Sequence, residues 1–176
     1  MKQLFKVMLW VTAVLFFLTG CEHDYEEPTL VLQPYNGNEL KLNGYYYDLY
    51  KETIWDIYFF YRNGVMLYDT GTDTLDNSLE KYDAWFGSDF FLNYIKTRNR
   101  SWGLYKIHGD KIVFERWTIA EGCDPIIRFS GDIINDTTFV ITQSEYPHSN
   151  GVYQRNDTFR FRALSPKPDS TNVFIP

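Results

Sequence analysis

The sequence predicts an all-β fold, an eight-stranded antiparallel up-and-down barrel, on three observations. Past residue 42, short runs of β-branched and aromatic residues recur, and 19% of the chain is aromatic, the material that suits a pleated, half-buried surface. Three gaps between those runs are tight-turn sequences, Arg62-Asn63-Gly64, His108-Gly109-Asp110 and Asn135-Asp136, which join neighbouring runs as hairpins. Two runs alternate with the period of a strand. Phe159, Phe161 and Ala163 oppose Thr158, Arg160 and Arg162, and Ile127, Phe129, Gly131 and Ile133 oppose Arg128, Ser130 and Asp132.

The elements follow in order. Gly44-Tyr45-Tyr46-Tyr47 opens the first strand, and 54–61 and 65–70 form the first hairpin. Leu79, Tyr82, Phe86, Phe90 and Tyr94 then repeat at spacings of three and four, the stripe of an amphipathic helix. Gly87-Ser88 interrupts it, so one helix or two short ones fit equally. This excursion between the third and fourth strands is expected to cover a sheet edge or one end of the barrel. Runs 102–107 and 111–117 form the second hairpin, 125–134 and 137–143 the third, and 158–164 is the last strand. The tail from Ser165 carries two prolines and no alternation, so an irregular surface path is expected.

The N-terminus carries a different kind of signal. Lys2 and Lys6 precede an apolar run, 7–18, broken only by Thr12, and Leu18-Thr19-Gly20-Cys21 closes it. That is the layout of a secretory signal peptide. It resembles the lipobox of bacterial lipoproteins, which implies lipid attachment at Cys21 and cleavage before it. Removal of residues 1–20 takes away two lysines and leaves 156 residues with a net charge of −8: one domain of ordinary size. Such an acidic chain does not seek nucleic acid through electrostatics. With Cys21 committed to lipid, Cys123 has no partner, which excludes a disulfide framework and leaves a buried, inert thiol as the expectation. Residues 22–38, acidic at first and broken by Pro28 and Pro34, read as a tether. The acidic cluster after Cys21 resembles the signal that sends some Gram-negative lipoproteins to the cell surface. In other groups an acidic residue there favours inner-membrane retention. Three acidic residues beyond Glu22 support the surface reading.

Leu42-Asn43-Gly44-Tyr45-Tyr46 resembles the opening of a lipocalin, where a glycine is followed two residues later by an aromatic, with Tyr46 in place of the usual tryptophan. The other lipocalin signature motifs are not evident. A closer resemblance is to small bacterial envelope lipoproteins with lipocalin-like (calycin) domains, on Trp102-Gly103-Leu104-Tyr105-Lys106-Ile107, Ile134-Asn135-Asp136-Thr137-Thr138-Phe139 and the tail Ser165-Pro166-Lys167-Pro168-Asp169-Ser170-Thr171-Asn172. It implies a calycin-type barrel and an envelope address, and it carries no catalytic residues. The barrel is expected over 39–164 and the chain, through its lipid, at the outer membrane.

The sequence offers little chemistry. His23, His108 and His148 do not stand at ligand spacing, and Asp69, Asp73 and Asp76 lack an EF-hand's pattern, so no metal or other cofactor is expected. No nucleophile elbow or phosphate cradle occurs, and the chain does not read as an enzyme. Asp73-Thr74-Leu75 and Asp136-Thr137-Thr138 resemble short O-glycan acceptor triplets. The candidate ligand residues are the bulky ones expected to face inward, Tyr46, Tyr105, Phe114, Phe129, Phe139 and Phe161. An eight-stranded barrel either fills with side chains or holds one small ligand, and this many rings favours a filled barrel or one with a small end cavity. Two functions are weighed: a monomeric, lipid-anchored module binding a small, partly apolar ligand at the open barrel end, and a non-enzymatic accessory subunit of an envelope complex with a filled barrel. A membrane-spanning barrel fits poorly, since most runs fall short of the ~9–11 residues a span needs.

Overall fold

The computed structural model of the chain describes residues 26–50, 52–71, 78–119, 125–148 and 151–175. The signal peptide, Cys21, His23, the start of the tether, the Asp73-Thr74-Leu75 triplet, Asp76 and Cys123 lie outside them. Eight strands form one closed antiparallel barrel in which each pairs with its neighbours in sequence and the last pairs with the first. They are β1 (Gly44–Tyr50), β2 (Thr53–Phe60), β3 (Val65–Thr70), β4 (Trp102–His108), β5 (Lys111–Trp117), β6 (Ile126–Asn135), β7 (Thr138–Glu145) and β8 (Val152–Ala163). This is the predicted fold class. Two glycines serve it directly: Gly64 takes φ +86° in the β2–β3 turn, and a side chain on Gly44 would strike the Arg162 carbonyl of the closing strand.

Side chains pack on both faces of the wall. Inside, Tyr58 of β2 meets Phe114 of β5 at 4.9 Å and Phe159 of β8 at 5.2 Å between ring centroids, contacts that cross the lumen. Outside, Tyr45, Ile57, Phe59, Leu67 and Trp102 form a second core. The excursion covers it as two helices, α1 (Leu79–Phe86) and α2 (Asp89–Ile95). The closed barrel has no edge to protect, so the helices lie against its outer wall, where Phe86 meets Phe59 at 5.0 Å and Tyr45 at 5.2 Å. The Gly87-Ser88 break resets the helical phase. The Ser88 hydroxyl accepts from the Phe91 N–H and starts α2 anew, so Phe91 and Ile95 are buried and the expected Phe90 is 67% exposed. Arg162, outward on β8, grips α1 through Asp83 at 2.5 Å, and Asp83 also accepts from the Tyr45 hydroxyl at 2.9 Å.

The described part of the expected tether is docked. The Trp117 indole donates to the Glu26 carbonyl at 2.8 Å. Glu115, fully buried on the outer wall, accepts from Thr29 N and Oγ1, both at 2.7 Å, from Leu30 N at 2.9 Å and from Arg128 Nε at 2.8 Å. Burial opposes its charge, but these donors outweigh burial and hold its pKa below the usual carboxylate value. Residues 26–40 therefore form a strap along the barrel. The irregular tail returns over the surface, buries Ile175, and is held by Lys167, whose ammonium donates to the Leu42 and Phe60 carbonyls at 2.7 Å each.

Candidate functional site

The two ends of the lumen differ. At one end the strap crosses the barrel, burying Tyr35 and Leu40 against the interior rings. The hydroxyls inside the lumen are matched there: the Tyr46 hydroxyl bonds to the Asp136 carbonyl at 2.8 Å and lies 3.1 Å from that of Lys41, and the Tyr105 hydroxyl donates to the Tyr61 carbonyl at 2.8 Å. The Tyr61 hydroxyl, in the outer core, is buried without a partner among the described residues. All six sequence-selected ligand residues lie on the inner face. Tyr46, Tyr105, Phe114, Phe129 and Phe139 are buried and Phe161 is partly so. They pack on one another: Phe114 stacks on Phe129 at 5.1 Å, and Tyr46 contacts Phe139 at 5.2 Å and Phe161 at 5.3 Å. Five of the six line none of the cavities described below. Tyr105 borders a recess of about 430 Å³ outside the closed end.

At the other end the ladder between β1 and β8 stops at Tyr47 opposite Arg160. Beyond it β1 continues with β2, and β8 with β7. The seam opens into a cleft of about 740 Å³, lined by Asp48, Tyr50 and Trp55 on one side and by Gln154, Arg155, Asn156 and Asp157 on the other. Trp55 and Tyr50, each 56% exposed, stand 6.0 Å apart at its rim. Asp157 accepts from Arg155 Nε at 2.6 Å.

Behind the cleft sits a buried polar group that the sequence reading missed. The Asp48 carboxylate accepts from Asp56 N at 2.7 Å, and Asp56 in turn accepts from the Tyr68 hydroxyl at 2.8 Å. The Arg116 guanidinium lies 3.6 Å over the Tyr68 ring, and its one hydrogen bond given by the described residues runs from Nη1 to the Trp117 carbonyl at 3.2 Å. Arg116 Nε and the Tyr58 hydroxyl are both buried; the two side chains lie close enough to favour each other electrostatically, and neither atom makes a hydrogen bond of ordinary geometry among the described residues. Burial pushes Tyr58 well above the ordinary phenol value and lifts Asp48 to about 6. Burial also opposes the charge on Arg116, but Tyr68, Tyr58 and Asp56 outweigh it and raise its pKa. The signal that marks Arg116 is its phase: Ile112, Phe114 and Arg116 share the inner face of β5.

A buried guanidinium with its Nε–H unused, beside a hydroxyl that makes no hydrogen bond among the described residues, can receive an acceptor group such as a carbonyl or carboxylate. Among the described residues no group of three or more His, Cys, Asp or Glu side chains is placed to hold a metal. No helix of the described residues is long and apolar enough to cross a membrane. Compared with protein-family models, with curated proteins and with solved structures, the chain matches none.

Proposed function

We propose that this chain is an envelope lipoprotein, anchored in the bacterial outer membrane through Cys21 and facing the cell surface. Its lipocalin-like barrel binds a small, partly apolar ligand without catalysing a reaction. The six interior rings act as a packed scaffold, and the ligand enters only the cleft at the open end. One observation carries this reading: Arg116 Nε and the Tyr58 hydroxyl are buried without a hydrogen bond among the described residues, and Tyr68 and Asp56 connect them to Asp48, which lines an opening shared with Trp55 and Tyr50. The rim rings supply the apolar contact, and the buried donors orient the polar end.

A thermal-shift screen of small amphiphiles against the mature chain tests it. A ligand at a hundred times its dissociation constant stabilises the native state by about 2.7 kcal/mol. Hits are expected to raise the melting temperature of wild type and to lose that effect in Trp55→Ala. Hits that act equally on both proteins would remove the cleft from the account.

A second observation favours the accessory-subunit reading. Phe90 is 67% exposed on α2, its ring 5.5 Å from Trp85 and 6.5 Å from Tyr94, an aromatic cluster of the kind found at protein interfaces. A pull-down from intact envelopes that recovers a stoichiometric partner from wild type and none from Phe90→Ser would favour it; recovery of nothing from wild type counts against it.

A further inference from the structure

A second cavity, of about 580 Å³, lies on the outer wall and shares no lining residue with the cleft. Pro28, Leu30 and Leu32 of the strap form one side, Phe174 and Ile175 of the tail another, and Leu104 of β4 lies among its apolar lining. The volume falls within the ~300–1,000 Å³ of pockets that enclose small ligands. Its charges are restrictive. The only ionisable groups that line it among the described residues are Glu26 and Glu27. Glu26 is engaged with Ile126 N at 2.8 Å, while Glu27 is exposed. An anionic headgroup or a free fatty acid finds no cation there and meets the Glu27 carboxylate, so the groove suits an uncharged apolar chain.

The strap enters this groove at Glu26, five Cα steps after Cys21. Fully extended, those steps reach about 18 Å at ~3.6 Å each. We propose that the groove holds one acyl chain of the lipid carried by Cys21. This rests on the lipoprotein reading of Cys21. The acyl chains of such an anchor are uncharged, and their attachment to the same polypeptide keeps them at the millimolar effective concentrations of a short linker. Every methylene seated in the groove is removed from water whenever the anchor is outside a bilayer. Within a bilayer the two environments are similarly apolar, so occupation is reversible.

The experiment uses the full chain produced in its host with a fatty acid bearing a terminal diazirine. The protein is extracted in detergent, illuminated after detergent removal, and digested for mass spectrometry. Acyl cross-links are expected on peptides covering 28–32, 97–104 and 174–175, at least tenfold weaker in Leu32→Glu. Phe174→Glu, at the tail side of the groove, is expected to give the same loss, with circular dichroism confirming that each variant folds. A lipidated Cys21 peptide with cross-links only to phospholipid or to other surfaces overturns the groove and leaves the lipoprotein reading standing. An unmodified Cys21 on the mature chain overturns both.

Discussion

The closed end and the mouth of this barrel are built on the same strands with similar side chains, yet inside the lumen only the closed end has its hydroxyls matched. The buried Tyr61 hydroxyl, which also has no partner among the described residues, belongs to the outer core. At the closed end Tyr46 and Tyr105 place their hydroxyls on backbone carbonyls, and the rings between them pack edge to face. At the mouth Tyr58 is equally buried but its hydroxyl has no partner among the described residues, and Arg116 beside it leaves Nε unused. Burial cost alone does not select such an arrangement, because a partnerless buried polar group destabilises by about 1–3 kcal/mol. The contrast teaches that the closed end serves stability, while the mouth holds unmet hydrogen-bonding capacity where a ligand can use it.

The largest effect separating the two ends is expected from Phe139→Ala. Its ring stacks on Phe159 at 4.9 Å and touches Tyr46 and Phe60, so truncation should cost about 3–5 kcal/mol in chemical denaturation. A loss below about 1 kcal/mol would mean that the interior is loosely packed. At the mouth the sign should reverse. Replacing two of the three buried charged residues there, Arg116→Met together with Asp56→Asn, is expected to leave stability unchanged or raise it by about 1–2 kcal/mol. A clear loss would show that these charges hold the fold together.

Asp48 sharpens the contrast through pH. Its native pKa of about 6 lies above the ordinary 3.8, so between those values the native state holds a proton that the unfolded chain has released. Stability from this group therefore falls as pH rises from about 4 to 6, and the penalty persists above that window. Asp48→Asn keeps an acceptor for Asp56 N, should raise stability at pH 8 by about 1–2 kcal/mol, and should flatten the acid limb of a denaturation series. An unchanged limb would contradict the assignment. The smallest effect comes from a matched pair of hydroxyl deletions. Tyr46→Phe is expected to cost about 1 kcal/mol by removing the hydroxyl's bond to the Asp136 carbonyl, which keeps only the Lys41 N–H, whereas Tyr58→Phe should be neutral or slightly stabilising. Equal costs would erase the difference between the two ends.

The same contrast explains how much was legible in the sequence. Where the lumen is apolar, alternation marks strand and face together, and Phe129, Phe139 and Phe161 fall inside as the pattern predicts. At the mouth the inner positions are charged, so the pattern inverts. β8 starts at Val152, six residues before the predicted start, because the cleft residues Arg155 and Asp157 do not read as a buried face. Arg116 does not stand out in the sequence for the same reason, although it continues the phase of Ile112 and Phe114. The strap has the local sequence of a tether because its partners, Glu115 and Trp117, are more than 80 residues away and leave no local periodicity. The helices were legible as a stripe, but the break at Gly87 shifted burial by one residue, from Phe90 to Phe91.

Native mass spectrometry of the protein purified from its own host, beside the Arg116→Met, Asp56→Asn double variant, tests the central claim most directly. The account predicts a co-purifying small molecule on the wild-type chain, additional to any mass at Cys21, and its absence from the equally folded double variant. A wild-type chain that carries nothing, or a molecule retained undiminished by the double variant, would contradict a ligand site behind the cleft.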